Sequence, residues 1–182
     1  MQCPNCNSNL QHMDFKGIAL DECSKCSGRW FDRHELRKAK DKTDDDLRWL
    51  DFDLFDEEAD KFAVAKANEQ CPKCSIKMDS LTYENSGIVI DRCTRCKGVW
   101  LDNGEFEKIV EYLDNLVNTK PVSEYAGDVL EEFLEIAVGP ENKVSEVRDF
   151  LAVLRLFQMR IVAGNPKMQE AILRISQASP LK

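Results

Sequence analysis

All eight cysteines of this chain fall in Cys-x-x-Cys pairs, and that spacing limits its possible folds more than any other feature. Cys3 and Cys6 are followed after sixteen residues by Cys23 and Cys26, and Cys71 and Cys74 are followed after eighteen by Cys93 and Cys96. Two residues between cysteines let one tight turn aim both sulfurs at a single point, and Pro4 and Pro72 preset φ at the first turn position. Two such turns at the ends of a hairpin close a tetrahedron of thiolates around one ion, with zinc–sulfur bonds near ~2.3 Å. The spacing predicts two structural sites, one on Cys3, Cys6, Cys23 and Cys26 and one on Cys71, Cys74, Cys93 and Cys96, each holding one Zn²⁺.

The pairs belong to a longer internal repeat. Cys23, Cys26, Gly28, Trp30, Asp32 and Glu35 recur seventy residues later as Cys93, Cys96, Gly98, Trp100, Asp102 and Glu105. The upstream pairs are offset by sixty-eight, so the second copy carries two extra residues, which the match of Gly17-Ile18 to Gly87-Ile88 places at a hairpin tip. Leu10 to Phe15 and Ile18 to Leu20 read as two strands around Gly17, and Met78 to Tyr83 and Ile88 to Ile90 as their counterparts. Ordering about 35 residues costs on the order of 50 kcal/mol of conformational entropy, so neither copy folds without its ion. Structural zinc contributes roughly 10 to 16 kcal/mol, which makes metal binding and folding one event.

No apolar run precedes Cys3 and no stretch is long and apolar enough to span a membrane, so the expected compartment is the cytoplasm and the expected thiol chemistry is metal ligation rather than disulfide formation. His12 and His34 have no counterparts in the second copy, and four thiolates leave no vacancy for a fifth ligand or for an activated water. Asp32-x-x-Glu35 and Asp102-x-x-Glu105 match the capping-box pattern, with Asp as N-cap, so each copy is expected to launch a helix from its last knuckle. That reading outweighs a catalytic carboxylate pair. Trp30 and Trp100, with Phe31 and Leu101, are expected to pack the cysteine knuckle onto that helix rather than to stack a base.

Four segments follow: a first ribbon with its helix at 1–40, an acidic amphipathic linker helix at 41–69, a second ribbon with its helix at 70–118, and a C-terminal all-α region at 119–182. In the linker, Trp49, Phe52, Phe55, Ala59 and Phe62 fall three or four apart, a spacing that predicts a helix laid on a ribbon or on the C-terminal region, with an acidic-hydrophobic docking segment for a basic partner as the alternative. Beyond Glu105 to Asn118, the C-terminal pattern predicts helices at Ser123 to Val138 and Val144 to Val162, and a further one opened by Asn165 and Pro166. The middle helix is apolar almost all round, with a seam of Val147, Phe150, Leu154, Phe157 and Ile161 and with Glu146 on a solvated face. Such a helix is either central to a bundle or shared between chains, and a core so thin leaves self-association open. The fold class is a small metal-stapled α+β protein with two four-cysteine ribbons.

Charge weighs against nucleic acid. The chain carries a formal net charge of −8. Residues 1–40 hold seven basic and five acidic side chains, a small excess that four thiolates around one Zn²⁺ cancel. Nucleic-acid modules concentrate a basic stripe, which no segment here does.

Cys-Pro-x-Cys followed by Cys-x-x-Cys-x-Gly-x-Trp-(Leu/Phe)-Asp-x-x-Glu resembles the TFIIB-type zinc-ribbon family, the transcription-factor zinc-finger domain, over Gln2 to Leu36 and again over Gln70 to Phe106. The resemblance implies structural zinc on the eight cysteines and suggests transcription as the setting. Ser27 and Lys97 stand where a second glycine often follows the fourth cysteine, and Arg29 where a small apolar residue is usual. Three function classes compete. A non-enzymatic zinc-stapled adaptor acting on protein partners leads. Direct nucleic-acid binding through Arg29, Arg33, Arg37, Lys38 and Lys40 follows, and thiolate-metal redox chemistry with rubredoxin-like iron comes third.

Overall fold

The computed structural model describes residues 1–50, 52–55, 59–138, 143–165 and 167. It divides into two compact units, Met1–Leu116 and Val117–Lys182. Among the described residues no helix is long and apolar enough to cross a membrane.

The first unit is built on one seven-stranded antiparallel sheet. Strands β1 (Leu10–Phe15), β2 (Ile18–Cys23) and β3 (Arg29–Phe31) come from the first repeat, and β4 (Ala63–Gln70), β5 (Lys77–Thr82), β6 (Val89–Arg92) and β7 (Val99–Leu101) from the linker and second repeat. Their order across the sheet is β1-β2-β3-β7-β6-β5-β4. Lys16 and Gly17, at φ 53 and 85, make the two-residue turn between β1 and β2, a left-handed geometry that matches strand twist. The corresponding turn in the second copy is longer, with Tyr83 N–H bonded to Ile88 O at 2.8 Å, so the two extra residues do lie at the tip. Register is otherwise repeated: Gln11 faces Glu22 in the first hairpin, and Asp79 faces Arg92 in the second.

The two copies meet where the sequence reading placed no strand. β3 pairs with β7 so that Arg29 faces Leu101, Trp30 faces Trp100 and Phe31 faces Val99. Since Trp100 is the repeat of Trp30, this register is a pseudo-twofold centred on the tryptophan pair. Both indoles are 1% exposed and share one apolar cluster with Cys3, Cys23, Cys71 and Cys93. Each tryptophan therefore does pack against a knuckle, but the knuckle belongs to the other copy. A Cβ built on Gly28 would land inside the Trp100 ring, and one on Gly98 inside the Trp30 ring. The glycine and the tryptophan of the motif are two halves of one reciprocal contact, which is why the repeat carries both.

Two helices flank the sheet, α1 (Glu35–Thr43) and α2 (Glu105–Thr119). Phe106 of α2 stacks on Phe31, with ring centroids 5.8 Å apart, and meets Phe15 edge-on at 5.3 Å. The second repeat's helix thus covers the first repeat's sheet. Arg29 adds a tie of the same kind, donating to Glu22 at 2.9 Å and to Glu107 at 2.7 Å.

Among the described residues the linker does not form the helix its aromatic spacing predicts. Residues 45–47 and 59–62 are single 3₁₀ turns, and Ala63–Gln70 is a strand on the outer edge of β5. The acidic side chains explain the failure, because short carboxylates compete for backbone N–H groups that a helix needs. Asp44 accepts from the Asp46 amide and Asp53 from the Phe55 amide, both at 2.9 Å. Lys40, buried at the end of α1, then gathers the turn, donating to Leu47 O at 2.6 Å and to Leu50 O at 2.7 Å. The apolar residues do dock internally: Leu47, Trp49 and Leu54 are buried. Phe52 meets Tyr83 edge-on at 5.4 Å, and Lys97 sits 4.8 Å over the Phe55 ring.

The second unit is a hairpin of α3 (Val122–Val138) and α4 (Lys143–Ala163), within one residue of the expected bounds at each end. The helix expected from Asn165 and Pro166 lies outside the described residues. The buried face of α4 is not the predicted seam. Ala152, Val153 and Leu156 are buried, and so are Glu146 and Asp149, whereas Val147 is exposed. An almost all-round apolar helix leaves its rotation to be set by polar anchors. Arg160, on the same face as Val153 and Leu156, donates to the carbonyls of Val117 and Asn118 at the end of α2, a favourable use of a cation at a helix C-terminus. Tyr125, fully buried, donates to Val117 O at 2.6 Å, and Lys120 pairs with Asp128 at 2.7 Å.

Replacing either motif glycine tests the reciprocal contact. Gly28→Ala and Gly98→Ala are each expected to cost about 1–3 kcal/mol, the usual penalty of forcing a methyl into a packed core. Urea denaturation with zinc analysis would show lowered stability at an unchanged two ions per chain. Stability equal to the parent chain would mean that the indoles do not sit over the opposite knuckles.

Candidate metal centres

Each set of four cysteines converges at the end of its hairpin. The first knuckle of the first repeat is held by Cys3 N–H to Ser8 O at 2.8 Å and Asn7 N–H to Cys3 O at 3.0 Å. The second knuckle repeats this, with Cys23 N–H to Gly28 O at 2.9 Å and Ser27 N–H to Cys23 O at 2.8 Å. Cys71, Ser75, Cys93 and Lys97 make the same bonds in the second repeat. All four knuckles turn on one residue with positive φ directly after the second cysteine: Asn7 at 56°, Ser27 at 56°, Ser75 at 58° and Lys97 at 60°. This left-handed conformation costs a residue with a Cβ roughly 1–2 kcal/mol, which gives the frequent glycine there a physical reason and marks Ser27 and Lys97 as mildly strained substitutes.

The sulfurs are gathered closely. In both clusters all four Sγ atoms lie within 4.8 Å of one another. Cys3 Sγ is 3.5 Å from Cys26 Sγ, Cys6 Sγ is 3.4 Å from Cys23 Sγ, and Cys71 Sγ is 3.7 Å from Cys96 Sγ. A tetrahedron with zinc–sulfur bonds of ~2.3 Å has edges of about 3.8 Å, so the donor sets fit a four-coordinate ion with little adjustment. One cysteine of each pair is buried and the other half-buried, which describes a closed structural site at the surface of the fold. Among the described residues these are the clusters of metal-ligating groups, and neither contains a histidine. His12 instead pairs with Asp21 at 2.7 Å, and His34 precedes α1 in a left-handed conformation.

Without an ion the thiols are not equivalent. Burial pushes Cys3 up to about 12 and Cys96 up to about 11, and raises Cys26 and Cys71 as well. Burial acts on Cys23 too, but hydrogen bonds from Ser8 and from the amides of Cys26 and Lys25 outweigh it and hold that thiol at about 5. On Cys93 the amides of Cys96 and Arg95 likewise outweigh burial, and the Ser8 hydroxyl lowers Cys6. The first site thus holds an ionised thiol, Cys23, beside protonated ones at neutral pH, and in the second Cys93 is the thiol drawn down. A divalent ion draws out the remaining protons, so acid opposes binding and alkali favours it.

The capping boxes are half present. Glu35 accepts from the Asp32 amide at 2.8 Å, and Glu105 accepts from the Asp102 amide at 2.7 Å, as the pattern predicts. The aspartates do not cap in return. Asp32 accepts from the Trp30 indole at 3.1 Å and from Lys73 at 2.8 Å, and Asp102 accepts from the Trp100 indole at 2.9 Å and from Asn5 at 2.6 Å. Lys73 and Asn5 sit inside the first knuckle of the opposite copy, so each aspartate fixes its own tryptophan and ties it to the other metal site. No short-range signal could have shown this, because the partners are 41 and 97 residues away in sequence.

Chain purified without added metal should contain about two zinc ions and be colourless; visible absorbance with iron in elemental analysis would favour the redox reading. Cys93→Ser should reduce the content to one ion and also lower the melting temperature of the remaining site, since Trp100 packs over Gly28. Titrating metal-free protein with zinc at pH 7 should release about two protons or more per ion, with affinity falling as pH is lowered. A weakly buffered indicator assay that found no release would contradict the raised thiols.

A family model described as transcription factor zinc-finger, the TFIIB-type zinc ribbon, matches residues 2–42 and 70–112. No curated protein and no solved structure matches the chain. The two matched segments contain the two sulfur clusters, the two hairpins and the start of the helix that follows each. Residues 2–42 and 70–112 are therefore two tandem copies of the TFIIB-type zinc ribbon.

Proposed function

We propose that the protein is a non-enzymatic, zinc-stapled adaptor that works through protein–protein contacts, with transcription as the setting that the family description suggests. The observation that carries this reading is where the motif side chains are used. Trp30 and Trp100 are buried against the opposite knuckles, and Asp32 and Asp102 hold the indoles in place. The metal sites are closed four-thiolate sets that present no open coordination position, which suits scaffolding rather than catalysis.

The electrostatics support the same conclusion over direct nucleic-acid binding. Of the five cations that could have formed a phosphate-binding surface, Arg29 lies between Glu22 and Glu107, Lys40 is buried on backbone carbonyls and Arg37 is half-buried. Lys73, on a knuckle, is engaged by Asp32. Arg33 and Lys38 remain exposed, too few for the concentrated stripe that displaces counterions. The overall charge of −8 repels a phosphate backbone further.

Fluorescence anisotropy with the zinc-loaded chain, duplex DNA and single-stranded RNA separates the two readings. No binding is expected at physiological salt, and any contact at low salt should vanish as salt is added. Submicromolar binding with a log–log salt slope near −5, the signature of about six neutralised phosphates, would replace the adaptor reading with a nucleic-acid one. Affinity purification from the native host should recover a stoichiometric protein partner that is lost when zinc is chelated.

A further inference from the structure

Apolar exposure in this protein is concentrated in one place. Of ten large hydrophobic residues exposed among the described residues, eight lie on α3 and α4. Leu130, Phe133 and Leu134 of α3 and Val147 and Leu151 of α4 are each 40 to 60% exposed. They form one face rather than a scatter. On α3 they recur at i, i+3, i+4, and on α4 Val147 and Leu151 are four apart, with half-buried Phe150 and Leu154 beside them. Phe133 and Phe150 join the two stripes, with ring centroids 5.8 Å apart.

We propose that this face is a homodimer interface, in which the α3–α4 hairpins of two chains stack as an antiparallel four-helix bundle. The first argument is size. The exposed apolar part of the face, extended by its charged rims, is of the order of the ~800 Å² per partner that a stable interface buries, and two such hairpins stacked face to face close a four-helix core. The second argument is charge, and it selects a second copy of this chain over an unrelated partner. The exposed charges of α3 are the carboxylates Glu124 and Glu131, and the helix has no basic residue, whereas the exposed charges of α4 include Lys143, Arg148 and Arg155. The two carboxylates of α4, Glu146 and Asp149, are buried. The face is therefore apolar along its middle, acidic along the α3 rim and basic along the α4 rim.

Such a pattern is complementary to itself under one of the two possible twofold axes. An axis parallel to the helices lays α3 of one chain over α4 of the other, which brings Glu131 to the Arg148 and Arg155 rim on both sides. The perpendicular axis would stack α3 on α3, acid against acid. The dimer carries four metal sites and two copies of the ribbon unit. This inference is independent of the adaptor reading, which concerns the ribbons.

Light scattering on the full zinc-loaded chain should give about twice the 20.9 kDa chain mass at micromolar concentration. Leu130→Glu and Leu151→Glu, at exposed positions outside the Phe133–Phe150 contact, should each weaken association at least tenfold while helical circular dichroism and zinc content stay unchanged. Glu131→Arg alone should weaken the dimer, and adding Arg148→Glu should restore it, which tests the choice of axis. A chain monomeric at every concentration would overturn the proposal. So would a dimer indifferent to both glutamate variants, or a monomer that associates only after removal of residues 168–182, since that would assign the face to the chain's own C-terminus.

Discussion

Four thiolates held within 4.8 Å of one another are the constraint on which everything else in the first unit depends. Ionised sulfurs at that separation repel strongly, and neutral ones bury poorly hydrogen-bonded groups, so the cluster is stable only with a cation at its centre. The knuckles, in turn, place the tryptophans. β3 and β7 leave the second knuckle of each copy after a single glycine, and the indoles reach the opposite sulfur cluster because the metal has fixed where those strands begin. The apolar cluster that results is small and made largely of cysteine and tryptophan, and a core of that kind cannot outlast its ions.

The pseudo-twofold gives the second level of organisation. Reciprocal glycine–tryptophan contacts, reciprocal bonds from Asn5 to Asp102 and from Lys73 to Asp32, and an antiparallel register centred on Trp30 and Trp100 all state the same symmetry. The symmetry is broken where the linker enters. β4 covers the outer edge of β5, while β1 remains at the sheet's other edge, and Phe52 and Phe55 pack on the second copy. Arg29 stands opposite this, a cation with two carboxylates at a position where the second repeat has Val99.

What was legible in the sequence follows from the range of the interactions involved. The metal sites, hairpins and helix bounds are specified by neighbours in sequence: cysteine spacing, a Lys-Gly turn, a glutamate three residues from an amide. The linker was misread because its aromatic spacing suits a helix while its aspartates favour local turns, and side-chain competition for backbone donors decided the outcome. The rotation of α4 was misread for a related reason. An all-round apolar helix has no preferred face by hydrophobicity, and the deciding anchor, Arg160, reaches carbonyls 42 and 43 residues away. The strand pairing of β3 with β7 was invisible because three-residue strands flanked by glycine and aspartate carry no periodicity.

Joining the two ribbons in one polypeptide changes the terms on which they pair. As separate molecules they would associate by mass action, and the paired fraction would follow their concentration. A tether between the copies replaces this with an effective concentration in the millimolar range, fixed by the chain itself. Pairing then persists at any cellular abundance. The two halves also need no longer be alike: Arg29 can pair with Glu107 on one side while Val99 stays buried on the other, and the contact surface gains an asymmetry that a twofold pair of identical subunits could not have.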